Sequence, residues 1–259
     1  MRIAVTRPVP ESLARCELTH LARVPIDVGV ATAQHRRYEE ALAANGWTVH
    51  HLPVAPDLPD SVFVEDVAVV LDEVAIVTRP GAESRRAERP SVAAVLSAYR
   101  PLQSIAAPGT LDGGDVLRVG TTLYVGLSTR TNEEGARQLA RIAEPLGYRV
   151  STVRTSACLH LKSAVTALDD ETLLCNPAWI DMDAFRQSGG QEHLDVIDVD
   201  PAEAHAANVL RLDGAILCAA AHDRTAARLR ARGYRLCVVD VSELAKAEAG
   251  VTCCSVLLG

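Results

Sequence analysis

An internal repeat of four segments, spaced 45 to 49 residues apart, constrains this chain most. Each segment opens with polar residues, enters a strand-like stretch, turns into a second apolar stretch and mostly ends in a helix. The first runs Val62-Phe63-Val64-Glu65-Asp66-Val67-Ala68-Val69-Val70 to Ala75-Ile76-Val77. The second opens at Leu111-Asp112-Gly113-Gly114-Asp115, the third at Leu159-His160-Leu161-Lys162-Ser163 and the fourth at Ala207-Asn208-Val209. Alignment on Asp66, Asp115, Ser163 and Asn208 gives steps of 49, 48 and 45, and a further step of 47 lands on Ser255. Such periods mark stacked arrays or closed rings.

The fifth unit has a first strand near the C-terminus and nothing after it. Arg2–Arg7, a helix over Ala33–Ala44 and an apolar run at Val49–Val54 supply the missing parts. Pairing the two ends would remove exposed sheet edges. The expected fold is therefore α/β: a five-bladed α/β propeller of ββαβ-type repeats with pseudo-five-fold symmetry, forming one domain over residues 1–259. Further helices are expected at Asn132–Leu146 and His222–Arg232, each followed by a glycine. Pro8 to Val30 reads as a long flap beside the ring mouth.

Polar residues at equivalent strand entries would converge on the axis: Glu65, Asp66, Asp112, His160 and Cys253. A nucleophilic cysteine needs its thiolate supported by a base or a cation, and His160 is the candidate. Strand alternation would turn only one of Cys253 and Cys254 inward. The acids have no cation in the repeat placed to neutralise them, so a cationic ligand is the natural partner. A guanidinium fits carboxylates best. Arg85 and Arg130 each follow the second strand of a unit and suit a carboxylate at the ligand's other end. Arginine or a derivative has that shape.

Composition excludes several classes. A net charge of −7 argues against nucleic acid, and there is no apolar run long enough for a membrane span. Seven cysteines without a C-x-x-C pattern read as a reduced, cytoplasmic inventory.

These motifs, with Thr252-Cys253-Cys254-Ser255-Val256-Leu257 and Arg7-Pro8-Val9-Pro10, resemble the dimethylarginine dimethylaminohydrolase family of the guanidino-group-modifying superfamily. The resemblance covers nearly the whole chain. It implies hydrolysis of N-omega-methylated arginines to citrulline and an amine through a covalent cysteine thiouronium. It implies Cys253 as nucleophile, His160 as proton donor and later base, and Asp112 as the acid beside His160. Leu18, Asp60, Glu65, Asp66, Arg85, Arg130 and Ala247 would bind substrate, although larger apolar residues stand near position 247 in the family. No cofactor and no metal are expected. A zinc ion caught by Cys253 and His160 would inhibit, because no three-ligand spacing is visible. The expected partner is a small molecule, with the chain alone or as a homodimer. Two rivals remain: an arginine deiminase, disfavoured by Lys162 where that family carries an acid, and a non-catalytic binding protein.

Overall fold

The computed structural model describes residues 1–187 and 194–259. Five three-stranded sheets form within them, each with the same wiring. The first strand pairs antiparallel with the second, and the second pairs parallel with the third after a helical crossover. Strand β1 (Ile3–Thr6) leads through helix α1 (Val28–Ala44) to β2 (Thr48–His51). Strands β3 (Ala68–Val70), β4 (Ala75–Val77) and β5 (Leu102–Ser104) form the next sheet, with α2 (Arg89–Leu96) as crossover. Strands β6 (Val116–Val119), β7 (Thr122–Leu127) and β8 (Arg149–Arg154) follow, with α3 (Glu133–Ala143). The one-turn helix α4 (Leu161–Ala164) opens the unit of β9 (Val165–Ala167), β10 (Thr172–Cys175), α5 (Met182–Gln187) and β11 (Asp195–Asp198). Strands β12 (Leu210–Leu212), β13 (Ala215–Ala219) and β14 (Leu236–Val239) enclose α6 (Asp223–Ala231). After α7 (Ser242–Ala245), β15 (Val256–Leu258) returns to β1 with Ile3 opposite Leu258 and Val5 opposite Val256. The expected pairing of the two ends is present.

Burial is graded across each sheet. The middle strands β1 and β4 are buried at every residue, whereas the third strands β2 and β5 contain none that is buried. Apolar side chains packed on both faces explain the uninterrupted Ile3-Ala4-Val5 and Ala75-Ile76-Val77 runs. Among the described residues no helix is long and apolar enough to cross a membrane.

Helix α1 starts five residues before the expected Ala33. The Asp27 side chain accepts from Val30 N at 3.0 Å and caps it, which overrides the poor helix propensity of Val28-Gly29-Val30. The flap therefore ends at Asp27. In α3, Asn132 caps through Gly135 N at 2.8 Å and buries Ala136, Leu139 and Ala143 on one face, near the expected bounds.

The polar openings of the repeats are not strands. Val64–Val67 and Gly113–Asp115 are 3₁₀ turns, and α4 takes their place in the third unit. The residues that align in sequence turn out to join neighbouring units. Asp66 Oδ1 accepts from Gly114 N at 3.1 Å, Asp115 Oδ1 from Leu161 N at 2.9 Å, and Asn208 Oδ1 from Thr252 N at 3.1 Å. The two bonds to carboxylates are charge-assisted, and all three satisfy backbone donors that would otherwise be stranded in the interior.

Candidate active site

His160 stands just before α4, with its ring held between two carboxylates from two earlier units. Its Nε2 lies 3.1 Å from Asp112 Oδ2 and its Nδ1 lies 3.7 Å from Asp66 Oδ1. All three side chains are buried. Gly114 makes this approach possible: a Cβ there would meet His160 Nδ1 at 2.7 Å and Asp66 Oδ1 at 2.8 Å. Asp112 is fixed in turn by Gly81 N at 2.8 Å and through its own N–H, which donates to Thr131 Oγ1 at 3.1 Å. Burial alone would lower the His160 pKa, but Asp66, Asp115 and Asp112 outweigh it and raise it to about 9. The ring is therefore imidazolium at neutral pH.

Cys253 is half-buried, and its sulfur accepts from Gly250 N at 3.3 Å. Burial, then Glu65 and Asp66, push its thiol up to about 12. Cys254 is fully buried in an apolar cluster with Tyr38, Val62 and Val251. One cysteine of the pair is thus accessible, as expected, but for a different reason. Residues 251–254 form turns, and the strand begins only at Val256.

Cys253, His160, Asp66, Asp60, Arg85, Arg130 and Ala247 border one cavity of ≈ 20 Å³, together with Glu17 and Glu248. That is roughly the room of one water, so a ligand of arginine size requires the walls to move. The segment before α1 supplies one wall, through Glu17. The backbone N–H groups of Thr19, His20 and Leu21 all donate to the Glu248 carboxylate, and Arg130 Nη2 donates to Thr19 Oγ1 at 3.1 Å. Asp60 accepts from Glu17 N at 3.1 Å, and burial raises its pKa to about 6 against the pull of Arg85.

Three expected residues sit elsewhere. Asp112 lies fully buried behind His160, and Leu18 packs against the Cys254 cluster. Glu65 borders a separate cavity of ≈ 240 Å³ with Lys162 and Thr252. Its carboxylate is paired with Lys162 Nζ and accepts from Thr252 Oγ1 at 2.7 Å. The expectation that no cation neutralises the acids is therefore overturned: Lys162 pairs with Glu65, and Arg85 and His160 pair with Asp66. Sequence order hides these pairs because each joins two strand entries of different units, or a turn to a strand entry.

A family model described as eukaryotic N,N dimethylarginine dimethylhydrolase matches residues 27–257. An N(G),N(G)-dimethylarginine dimethylaminohydrolase of Streptomyces coelicolor is 45% identical over 98% of this chain and 95% of its own. One from Pseudomonas aeruginosa is 36% identical over 88% and 89%. The chain belongs to the dimethylarginine dimethylaminohydrolase family. The structure of the P. aeruginosa family member, as a cysteine-to-serine mutant complexed with citrulline, superposes with a TM-score of 0.90 at 34% identity, covering 98% of both chains. The N-terminal domain of a cyanobacterial arginine dihydrolase has a TM-score of 0.89 at 18% identity, covering 100% of this chain and 97% of its own, and shares the fold.

In this dimethylarginine dimethylaminohydrolase fold, several supporting groups were not assigned from sequence. Asp115, in sequence one of four acids at strand entries suited to a cationic ligand, instead accepts from Ser128 Oγ at 2.6 Å, Thr131 Oγ1 at 2.7 Å and the α4 amide of Leu161. It thereby holds the turn that presents His160. Glu88 binds Arg85 with both oxygens at 2.9 Å, and the Arg85-x-x-Glu88 spacing was a legible signal for it. Asp66, Asp112 and His160 also place ligand atoms within 4.8 Å of one another, a set that can hold a metal ion and that linear spacing could not reveal. Both ring nitrogens of His160 already face carboxylates, an arrangement suited to orienting and charging a proton donor.

Proposed function

We propose that the chain hydrolyses N-omega-methylated arginines to citrulline and methylamine or dimethylamine, as one catalytic unit over residues 1–259. The reading includes a closed five-bladed arrangement of the sheets, supported by the β1–β15 pairing and the common wiring of all five. A cytoplasmic setting is in keeping with seven free thiols. The observation that carries the function is the shared cavity of Cys253, His160 and Asp66, in a chain 45% identical to a relative named for this reaction.

Before substrate binds the thiol keeps its proton, because burial, and then Glu65 and Asp66, disfavour the thiolate. A guanidinium brought beside the sulfur reverses that balance, and the thiol proton passes to solvent water as the cation arrives. The thiolate then attacks the guanidinium carbon and forms a C–S bond. His160, already imidazolium, gives its proton to the departing methylated nitrogen, and the C–N bond breaks. The neutral ring next takes a proton from water, which attacks the S-linked thiouronium carbon. Cleavage of C–S yields citrulline and frees Cys253. Asp66 and Asp112 hold the ring and stabilise its charge through both steps. Asp60 and Arg130 bracket the amino-acid end of the ligand as an opposite-charge pair, with Arg85 beside them.

Incubation with arginine, monomethylarginine and asymmetric dimethylarginine, with citrulline measured, tests this reading. Faster turnover of the methylated substrates is expected, and faster turnover of plain arginine would favour the deiminase alternative. Arg130→Ala should lower kcat/KM for methylarginine roughly ten- to a hundredfold, the loss of a charge-assisted bond of about 1.5–3 kcal/mol. A methylated agmatine, which lacks the α-carboxylate, should lose little. Equal losses on both substrates would remove Arg130 from carboxylate binding.

A further inference from the structure

Arg85 carries five N–H donors, and the protein engages nearly all of them. Nε and Nη2 bind the two Glu88 oxygens, Nη2 also reaches Asp60 O at 3.1 Å and Phe63 O at 2.8 Å, and Nη1 binds Asp66 Oδ2. At most one N–H on Nη1 is then left for the cavity. Glu88 and Arg85 are both buried. Burying an ion pair in this way costs desolvation that an apolar pair of similar size avoids, so its place beside a reactive histidine asks for a functional reason. The far oxygen of Asp66 supplies one: it faces His160 Nδ1, whose ring rests on Asp112 at its other end. Charges therefore alternate along one buried row, Glu88, Arg85, Asp66, His160, Asp112.

We propose that Glu88 is a positioning residue: it commits Arg85 to Asp66 and, through Asp66, sets the His160 ring for proton transfer. Without Glu88, the Arg85 guanidinium loses its bidentate anchor and closes further onto Asp66, drawing that carboxylate away from the ring. A displacement near 1 Å at a reacting group is enough to cost about 10²-fold in rate. The inference rests on the proposed hydrolase reading, which the wild-type citrulline assay tests by itself.

Glu88→Gln keeps the shape and removes the charge. On methylarginine and on methylated agmatine alike, kcat should fall roughly 10- to 100-fold, while KM for methylarginine changes little. In the substrate-free protein, the His160 ring signal should titrate at a lower pH than in wild type. The groups facing that ring are Asp66, Asp112 and Asp115, with Cys253 across the cavity, and the substitution replaces none of them. An Arg85 released from Glu88 neutralises more of Asp66, and the imidazolium loses support. The idea is overturned if KM for methylarginine rises tenfold while methylated agmatine is unaffected, since Glu88 would then aim Arg85 at the carboxylate. A lower melting temperature with unchanged kcat and an unchanged His160 titration overturns it as well, leaving a packing role only. Should the glutamine variant not fold, Glu88→Asp, which keeps the charge but shortens its reach, is read by the same measurements, with smaller changes expected in the same directions.

Discussion

Cys253→Ser should release no measurable citrulline, a loss of about 10⁴-fold or more, as expected when a covalent nucleophile is removed. A serine hydroxyl is a far weaker acid than a thiol, and burial together with Glu65 and Asp66 already pushes even the thiol up to about 12. No cation brought by substrate would ionise the hydroxyl to a useful extent. The fold should survive, because Cys253 is half-buried and the hydrogen bond its sulfur accepts from Gly250 N, at 3.3 Å, is a weak one. The neighbouring variant should behave in the opposite way. Cys254→Ser places a hydroxyl in an apolar cluster at a position with 0% exposure, at a cost of about 1–3 kcal/mol. Its turnover should stay near wild type. Citrulline release and thermal melts on the two variants check both statements, and a dead Cys254→Ser beside an active Cys253→Ser would exchange their roles.

His160→Gly should slow turnover by roughly 10²–10⁴-fold, the range for loss of a general acid and base. The pH behaviour gives the sign. His160 carries its proton up to about 9, so wild-type turnover should decline as pH rises through that value, where the acid form disappears. The glycine variant should lack that decline. Removing the imidazolium also takes a positive charge from beside Cys253, so alkylation of the thiol should be slower at neutral pH and should climb more steeply with pH than in wild type. Rapid-quench kinetics with an alkylating probe would report it. Unchanged turnover would exclude His160 from the mechanism.

Much of this site was readable before any coordinates because it repeats. Asp66, Asp115, Ser163 and Asn208 mark equivalent places in units of similar length, and the candidate residues Asp112, His160 and Cys253 stand beside them. Periodicity identified the repeat, short apolar runs rich in Val, Ile and Leu identified the strands, and the glycines after Leu146 and Arg232 marked the ends of their helices. Where the reading slipped, the cause was local. Asp27 starts α1 early by capping a segment of poor propensity, and the polar openings close into 3₁₀ turns because Asp66 and Asp115 bind the next unit's backbone.

The sequence by itself determined the inventory: which residue types recur, at what interval, and which cysteine, histidine and carboxylates were available for guanidinium chemistry. Only the tertiary structure decided how those charges are shared. Lys162 takes Glu65 away from the Cys253 cavity, Glu88 and Asp66 take nearly all of Arg85, and the flap amides close on Glu248. The reason is physical. A buried charge must find its partner in space, from whichever element folds against it, and Glu65 finds Thr252 187 residues away along the chain.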